Sequence, residues 1–331
     1  MENKPVIAVV GAGYWGVNHV RNFHQLGALR TVCDTNEPSL SRIAERFPDA
    51  QFESNLDAVL SDTEIKGVVI ATPAETHYRV ARASIEAGKD VLVEKPLTLD
   101  TDEAKILIHL AREQGRILMV GHLLEFHPAI LRLRHLVSTG AMGDLRYIYS
   151  SRLNLGKVRR EENILWSFAP HDIAVILRLV GCMPVKVAAT GGAYLQPRTA
   201  DVTVTHLKFP GGVRAHIFVS WLHPYKEQRM SVIGSSQMAV FDDVVKRDKL
   251  MLYDQGVEIV GGEPVTRKNE PVAEEIPESE PLRNQCMHFL ECMETRQTPL
   301  TDGESGLRVL RVLEAAEKSL ASGGEPVSVE G

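Results

Sequence analysis

The sequence predicts an α/β protein of two domains: a doubly wound parallel sheet, then an α+β domain with a mostly antiparallel, open-faced sheet. At 331 residues the chain is long enough for two hydrophobic cores. In the first part of the chain, short apolar runs alternate with helical patterns, which is typical of a parallel sheet covered on both faces. Further on, strand-like segments follow one another with turn residues between them, which favours antiparallel pairing.

The first domain is predicted over residues 1–121. Its strands are short apolar runs separated by segments with helical period. The predicted strands are Val6–Val10, Leu29–Cys33, Val68–Ala71, Val91–Val93 and Ile117–Val120. The predicted helices between them include Thr76–Ala87 and Thr101–Gln114.

The second domain is predicted over residues 122–331. A long strand is expected at Leu145–Leu155, and a series of strands from Val185 to Val260. The Pro- and Glu-rich segment Gly261–Ser279 is expected to be an exposed loop. The predicted helices are Pro128–Thr139, Ile164–Val180, Leu282–Glu294 and Gly303–Ser322.

The composition predicts a cytoplasmic protein. The net charge of -6 argues against a general nucleic-acid or membrane-surface binder. No apolar run reaches the roughly 18–20 residues of a membrane helix, and the opening MENKPVIAVVG lacks the pattern of a secretory signal. The four cysteines are scattered without a CxxC pair, which predicts reduced thiols and no structural metal site.

A complete G-x-G-x-x-G motif follows the first predicted strand. Its residues are Gly11, Ala12, Gly13, Tyr14, Trp15 and Gly16. Between a strand and a helix, such a motif binds the pyrophosphate of a dinucleotide, as in Rossmann domains. Asp34 ends the second strand, where an acid binds the ribose hydroxyls and repels a 2′-phosphate, so the pattern predicts NAD. The alternatives are a glycine turn that only packs and an Asp34 that is only a solvated strand end.

Two more strand ends carry candidate site residues. Lys95 lies in Glu94-Lys95-Pro96, at the carboxyl end of a predicted strand, where open parallel sheets bind ligands. His122 follows the next strand, where it either caps the structure or lines the site. The alternative for Lys95 is an ordinary surface lysine in a turn.

A histidine on the buried helix is the second candidate for chemistry. His171 follows Pro170, and because proline suits the first helical position, His171 is expected in the first turn. A histidine there can accept a proton from a substrate hydroxyl as hydride leaves the same carbon. The alternative is a core histidine bonded to backbone. Asp172 is interpreted as stabilising the N-terminal dipole of the helix.

A basic cluster precedes that helix, with four cations in nine residues. It comprises Arg152, Asn154, Lys157, Arg159 and Arg160. On an acidic protein such a cluster favours a diphosphate or carboxylate site. The alternative is a solvated basic loop balanced by Glu161 and Glu162.

In their order and spacing, these motifs resemble the glucose-fructose oxidoreductase/inositol dehydrogenase (Gfo/Idh/MocA) family over essentially the whole chain. The matching motifs are GAGYWG at residues 11–16, Ala71-Thr72-Pro73 with His77, Glu94-Lys95-Pro96-Leu97, Val120-Gly121-His122, Gly143-Asp144-Leu145 and the helix of His171. The resemblance implies an NAD-dependent dehydrogenase acting on a CH–OH group.

The resemblance also implies roles for individual residues. Lys95 would sit beside the nicotinamide and contact the reacting hydroxyl, with His171 as the acid/base or as its partner in that role. Ser167 stands where the family often has an aspartate, which puts a carboxylate-assisted triad in doubt. The cofactor would also contact Thr72, Pro73, His77, Glu94, Lys95, Pro96, His122 and Trp166. The substrate would contact Lys95, Arg152, Asn154, Lys157, Arg159, Ser167 and His171.

Within the family, the segment from Asn154 to Asp172 is similar to nucleotide-sugar 3-dehydrogenases. This likeness implies oxidation of the C3 hydroxyl of UDP-N-acetylglucosamine. The 3-keto product would feed an aminotransferase in 3-amino-sugar synthesis, for lipid A or surface polysaccharide. The alternatives are another UDP-sugar such as a uronate, a free sugar or inositol, and a non-catalytic NAD-binding sensor or scaffold.

Alternating apolar residues also predict self-association. They recur along Val202–Leu207 and Val213–Val219, on strands whose sheet would leave one face uncovered. We expect that face to be buried against another subunit, in a homodimer or homotetramer.

Overall fold

A computed structural model describes residues 6–156, 158–159 and 162–329. The chain divides into two compact units. The first unit contains the chain up to Phe126 together with Ser279–Leu310, and the second contains His127–Glu278 together with the chain from Arg311 onward. This division differs from the single boundary predicted after residue 121, because a C-terminal segment belongs to the first unit.

The first unit is built on a parallel sheet of six strands. The strands are β1 Val6–Val10, β2 Leu29–Cys33, β3 Gln51–Glu53, β4 Ile65–Ile70, β5 Asp90–Glu94 and β6 Leu118–Gly121. Their order is β3-β2-β1-β4-β5-β6, so the direction of winding reverses between β1 and β4. Ligands of such sheets bind outside the carboxyl ends of the strands at this reversal. The predicted doubly wound sheet is confirmed, although β3 was not predicted and β4 begins at Ile65 rather than Val68.

Five helices connect these strands. They are α1 Tyr14–Gln25, α2 Glu37–Ala44, α3 Leu56–Ser61, α4 His77–Glu86 and α5 Thr101–Glu113. Side-chain caps define where two of these helices begin. The side chains of Asn36 and Asp100 accept hydrogen bonds from backbone N–H groups in the first turns of α2 and α5. On α1, Val20 and Phe23 are fully buried, which places this face of the helix in the core.

The second unit contains one large sheet and one small ribbon. The strands are β7 Leu145–Leu153, β8 Lys186–Gly192, β9 Val202–Lys208, β10 Arg214–Ser220, β11 Glu227–Gly234, β12 Met238–Asp242, β13 Leu250–Tyr253, β14 Gln255–Val260, β15 Glu263–Lys268, β16 Val272–Ala273 and β17 Val327–Ser328. Nine of them form a sheet in the order β16-β13-β12-β11-β7-β10-β9-β8-β17, in which β7 and β10 are parallel and the other neighbours antiparallel. The predicted, mostly antiparallel sheet is confirmed.

Helices cover one face of the large sheet. They include α6 (Pro128–Ser138) and α7 (Ile164–Val180), and α7 packs against β7, β9 and β10. Ile217 and Val219 of β10 point to that face and are fully buried, whereas Phe218 between them points to the opposite face and is half-buried. This alternation gives the sheet the open face that the sequence predicts.

The last two helices are α8 (Pro281–Thr295) and α9 (Gly303–Ala321). Helix α8 belongs to the first unit because its apolar side fills the same core as α1. Cys286 and Phe289 of α8 are fully buried there with Val20 and Phe23. The sequence shows that α8 is amphipathic, but not which of two cores its apolar side enters.

The predicted loop over Gly261–Ser279 is wrong in part. Glu263–Lys268 pairs with Gln255–Val260 as the β14–β15 hairpin, and Val272–Ala273 pairs with β13. Every residue of β15 is exposed, so its sequence has no buried apolar face that would identify a strand.

Over the described residues, the cysteines form no disulfide, and no group of three His, Cys, Asp or Glu side chains is arranged to hold a metal ion. No helix of the described chain combines the length and the apolar sequence that a membrane crossing requires. Cys182 is exposed, while the other three thiols are buried.

Candidate active site

The glycine motif forms the turn from β1 into α1. Gly11 adopts a φ of +100°, and a Cβ there would lie 2.6 Å from the carbonyl group of Ala71, so only glycine fits. A Cβ on Gly16 would lie 1.8 Å from the carbonyl oxygen of Gly11. The space around Gly13 is open, which leaves room for phosphates to approach the N-terminus of α1. The turn therefore has the shape that a dinucleotide pyrophosphate requires.

The remaining residues of the motif differ in exposure. Tyr14 is 83% exposed, whereas Ala12 is buried and Trp15 packs against the core of the first unit. No acidic residue lies in the first turn of α1, so the positive end of its dipole is free to attract an anion.

Asp34 lies directly beside this turn. The backbone N–H of Ala12 donates to Oδ2 of Asp34 at 2.5 Å, and the N–H of Asn36 donates to Oδ1 at 2.8 Å. The carboxylate is thus fixed and half-buried at the end of β2. A negative charge in this position suits ribose hydroxyls and repels a 2′-phosphate, so these residues fit NAD.

The segment after β4 contains Thr72, Pro73 and His77. Thr72 is half-buried and Pro73 exposed, as residues that line a groove would be. His77 is only 1% exposed, and its ring nitrogens contact the carbonyl oxygens of Pro96 (2.7 Å) and Thr72 (3.0 Å). Burial lowers the pKa of His77, and these two contacts offset only part of that effect. The role of His77 in lining the groove stays a prediction, and its ring lies between the loops of Thr72 and Pro96.

Lys95 lies at the carboxyl end of β5, half-buried between Glu94 and Pro96. The Glu94 carboxylate contacts Nε2 of His19 at 2.7 Å, and the backbone N–H of Lys95 donates to its other oxygen at 3.3 Å. Burial alone would raise the pKa of Glu94, but His19, Lys95 and His77 together hold it below its usual value. Glu94 is thus an ionised group bound by His19 and by the Lys95 backbone, and its contact with the cofactor stays a prediction.

His122 follows β6 and is almost completely buried. Its backbone N–H donates to the carbonyl oxygen of Val120 at 2.8 Å. Of the two alternatives left by the sequence, this burial favours the structural one.

Helix α7 carries His171 in the second unit. The side chain of Asn163 caps the helix by accepting from the N–H of Trp166 at 3.2 Å, so the helix begins at Ile164. Pro170 therefore lies inside the helix, and His171 lies beyond the first turn, which corrects the predicted first-turn position. His171 is half-buried.

Trp166 and Ser167 lie just before this histidine. The indole N–H of Trp166 donates to Glu317 at 3.1 Å, and the side-chain amide of Asn163 donates to the same oxygen at 2.9 Å. Ser167 is buried. The position of Trp166 as a cofactor contact and of Ser167 as a substrate contact stays a prediction.

Arg152 and Asp172 form a buried ion pair in the second unit. Nε of Arg152 donates to Oδ2 of Asp172 at 2.7 Å, Nη2 contacts Oδ1 at 3.3 Å, and the Ser150 hydroxyl donates to Oδ1 at 2.6 Å. Burial alone would lower the pKa of Arg152, but the Asp172 carboxylate outweighs it and holds the pKa above its usual value. The interpretation of Asp172 as a dipole-stabilising residue is therefore wrong. The guanidinium of Arg152 binds Asp172, and its role as a substrate contact stays a prediction.

Two other predicted substrate contacts remain available in the described chain. Asn154 is half-buried just after β7, and Arg159 is partly exposed, 3.1 Å from Glu162. Lys157 and Arg160 lie outside the described residues. Lys95 belongs to the first unit and His171 to the second, so their convergence on one carbon stays a prediction.

Comparison with known proteins agrees with this geometry. Residues 6–122 match the model of an oxidoreductase family with an NAD-binding Rossmann fold, and residues 130–240 match that of the GFO/IDH/MocA C-terminal domain. The chain is 31% identical to UDP-N-acetylglucosamine 3-dehydrogenase of Acidithiobacillus ferrooxidans, over 91% of this chain and 93% of the relative. A crystal structure of that enzyme, GnnA, superposes with a TM-score of 0.85 and 28% identity, covering 96% of this chain and 97% of the other.

A second relative acts on a different substrate. The chain is 25% identical to the NAD-dependent scyllo-inositol 2-dehydrogenase of Bacillus subtilis, over 100% of this chain and 98% of the relative. The fold and the glycine turn thus define an NAD-binding oxidoreductase. The chain belongs to the Gfo/Idh/MocA family.

Proposed function

We propose that this protein oxidises the C3 hydroxyl of UDP-N-acetylglucosamine to a ketone, with NAD as the hydride acceptor. The observation that carries the proposal is the turn at Lys95, which follows β5 in the same sheet as the glycine turn and Asp34. The similarity to a UDP-N-acetylglucosamine 3-dehydrogenase over 91% of the chain supports the choice of sugar. The 3-keto product would be consumed by an aminotransferase.

The residues of the chain would divide the reaction as follows. Gly13 and Asp34 would hold NAD, which would supply the acceptor for the C3 hydride. Lys95 or His171 takes the hydroxyl proton as the C–H bond breaks and the C=O bond forms. The Lys95 ammonium, when it is not the base, stabilises the negative charge that develops on the oxygen.

The substrate class is tested with a panel of purified compounds. The panel contains UDP-N-acetylglucosamine, its uronate, N-acetylglucosamine, myo-inositol and scyllo-inositol, each with NAD and followed by NADH absorbance. A ketone-trapping amine or a 3-aminotransferase is added, because the oxidation is unfavourable near neutral pH. We expect kcat/KM for UDP-N-acetylglucosamine to exceed that for each non-nucleotide compound by about 100-fold, since only a nucleotide sugar offers a diphosphate to basic side chains such as Arg159.

Each other outcome selects an alternative. A higher kcat/KM for an inositol would contradict the proposal and align the chain with the Bacillus subtilis relative. A preference for the uronate would retain the C3 chemistry and change the sugar. Binding of NAD without turnover of any compound would make the protein a sensor or scaffold.

We also propose that the open face of the large sheet joins two copies of the chain. Tyr149 and Phe218 lie on that face, half-buried, opposite the side that α7 covers. Such a half-apolar sheet face is usually covered, and identical faces pair readily about a two-fold axis. The same protein would then be a homodimer, or a homotetramer with a second interface.

A charge on the open face tests this assembly. Phe218→Glu is expected to convert the wild-type oligomer to a smaller species at micromolar concentration, because a buried carboxylate costs several kcal/mol. Sedimentation velocity measures the change. The matched control is Leu131→Glu, at a 40% exposed leucine on α6, which should leave the oligomer intact. Sedimentation of the wild type as a monomer would contradict the proposal.

A further inference from the structure

Two buried histidines contact the turn that carries Lys95, one on each side. Nε2 of His19 lies 2.7 Å from the Glu94 carboxylate, just before Lys95. Nδ1 of His77 lies 2.7 Å from the carbonyl oxygen of Pro96, just after it. Both rings are at most 1% exposed, and all these residues belong to the first unit. Both rings are therefore enclosed by the protein.

On the Glu94 side, the hydrogen-bond directions can be assigned. Burial raises the pKa of the Cys286 thiol well above its usual value, so the sulfur keeps its proton. Its Sγ lies 3.8 Å from Nδ1 of His19, so the ring also contacts α8. Because an ionised carboxylate only accepts, Nε2–H of His19 is the donor to Glu94. His19 thus contacts Cys286 on α8 and Glu94 on β5 at once.

The Glu94 side chain also has little room to move. It lies over β6, where a Cβ on Gly121 would be 3.0 Å from Oε2 and 3.1 Å from the Cα of Glu94. The carboxylate is therefore held by His19 on one side and by the β6 backbone on the other. Its second oxygen accepts from the backbone N–H of Lys95 at 3.3 Å, so the fixed carboxylate also restrains the backbone of the turn.

On the Pro96 side, His77 lies between two loops. Both of its neighbours are carbonyl oxygens, which only accept, and a neutral imidazole has a single N–H. The shorter contact assigns that proton to Nδ1, which donates to Pro96. This hydrogen bond ties the Lys95 turn to the start of α4, while the unprotonated Nε2 lies 3.0 Å from the carbonyl oxygen of Thr72. His77 opens α4, so the helix fixes the ring in place.

We propose that His19 and His77 are positioning residues for Lys95, which hold the two ends of its turn so that the amine keeps one orientation. This inference rests on the role of Lys95 given under the proposed function. A displacement of about 1 Å at a reacting group can cost about 100-fold in rate, so loss of either anchor is expected to act on kcat. Binding of NAD at the glycine turn should be spared, because the polar contacts of both rings in the described chain go to other segments.

The test uses the two amides that imitate either nitrogen of histidine. An Asn amide nitrogen lies near the place of Nδ1, and a Gln amide nitrogen near that of Nε2. We therefore expect His77→Asn to retain kcat within about threefold and His77→Gln to lower kcat about tenfold or more. At position 19 the order reverses: His19→Gln should retain kcat and His19→Asn should lower it. His24→Gln, at a partly exposed histidine on the same helix, is the control and should match wild type.

A second measurement is independent of the substrate. In the NAD-free enzyme, the rate at which trinitrobenzenesulfonate labels Lys95 is followed by peptide mass spectrometry across a pH series. The dependence of the labelling rate on pH is expected to shift in His77→Gln and His19→Asn. In His77→Asn and His19→Gln it should match wild type. Thermal melting and NAD titration establish that the four variants are folded and loaded.

The outcomes separate this inference from the proposed function. If no nucleotide sugar is oxidised but the labelling of Lys95 changes only in His77→Gln and His19→Asn, the proposed function fails and the positioning role stands. If the two amides behave alike at each position, in both labelling and kcat, the rings only fill space and the inference is overturned. A parallel fall of kcat and NAD affinity in all four variants also overturns it.

Discussion

Replacing Lys95 by alanine is expected to lower kcat about 10³-fold, with the Kd for NAD changed by less than about threefold. The amine is the charged group of the turn after β5, and removing one preorganised donor at a developing oxyanion costs about 10²–10³-fold, with proton transfer adding to the loss. Cofactor binding is spared because it depends on the glycine turn and Asp34. Initial rates of NADH formation and a fluorescence titration with NAD give the two quantities.

The control for this variant is Lys105→Ala. Lys105 lies on α5, half-exposed beside Asp102, and its loss should leave kcat within twofold of wild type. Turnover of Lys95→Ala within tenfold of wild type would remove this lysine from the reaction. It would leave the family assignment unchanged, since that depends on the match over both units.

Variants of Lys95 and His171 decide which of the two groups takes the proton. The pH dependence of kcat/KM reports the essential acid and base of the free enzyme. An acid limb that disappears in His171→Gln but persists in Lys95→Met assigns the base to the imidazole. The opposite pattern assigns it to the amine. Loss of the limb in both variants means that the two groups titrate as one unit.

The parallel sheet of the first unit was predictable because its strands are buried on both faces. Continuous apolar runs such as Val6–Val10 admit few other structures when glycine turns and amphipathic helices separate them. The glycine turn was predictable for a related reason: Gly11 and Gly16 lie where a Cβ would meet backbone. Both patterns involve residues that are close together in the sequence, so they can be recognised without knowledge of the tertiary structure.

The partners of buried polar side chains were not predictable, because they depend on long-range packing. In the sequence, Asp172 is a helix residue near a proline. Only the fold shows that Ser150 and Arg152 of β7 lie within hydrogen-bond distance of its carboxylate. The sequence did contain an indication of a buried ion pair. Ser150 and Arg152 lie on the same face of one strand, and Asp172 is a charged residue on a largely apolar helix. The sequence could have suggested pairing, but not which carboxylate.

The contacts of His19 and His77 with the Lys95 turn were not predictable for the same reason. His19 occupies the buried face of α1 with Val20 and Phe23, which is where a structural histidine would lie. His77 follows a loop in a family motif, and the motif alone suggested a groove residue. Their common target became visible only when α1, α4 and β5 were placed in one unit.

The buried pair in the second unit gives the largest expected effect on stability. Asp172→Leu is expected to lower the free energy of unfolding of the second unit by about 3–5 kcal/mol, because the Arg152 guanidinium, only 9% exposed, stays buried without its carboxylate. The double variant Arg152→Met/Asp172→Leu should recover most of this loss, since two apolar side chains of similar volume leave no buried charge. Ser150 keeps its hydroxyl in both variants, so its lost acceptor cancels in the comparison.

Urea unfolding followed by tryptophan fluorescence measures these differences, and a Trp15→Phe background restricts the signal to Trp166 and the fully buried Trp221 of the second unit. The control is Arg267→Met, which removes a half-exposed ion pair with Asp254 and should cost about 1 kcal/mol or less. A single variant as stable as this control would show that Arg152 reaches water when Asp172 is lost. A double variant no more stable than Asp172→Leu would show that the pair supplies shape rather than charge compensation, because only the charge is removed between the two.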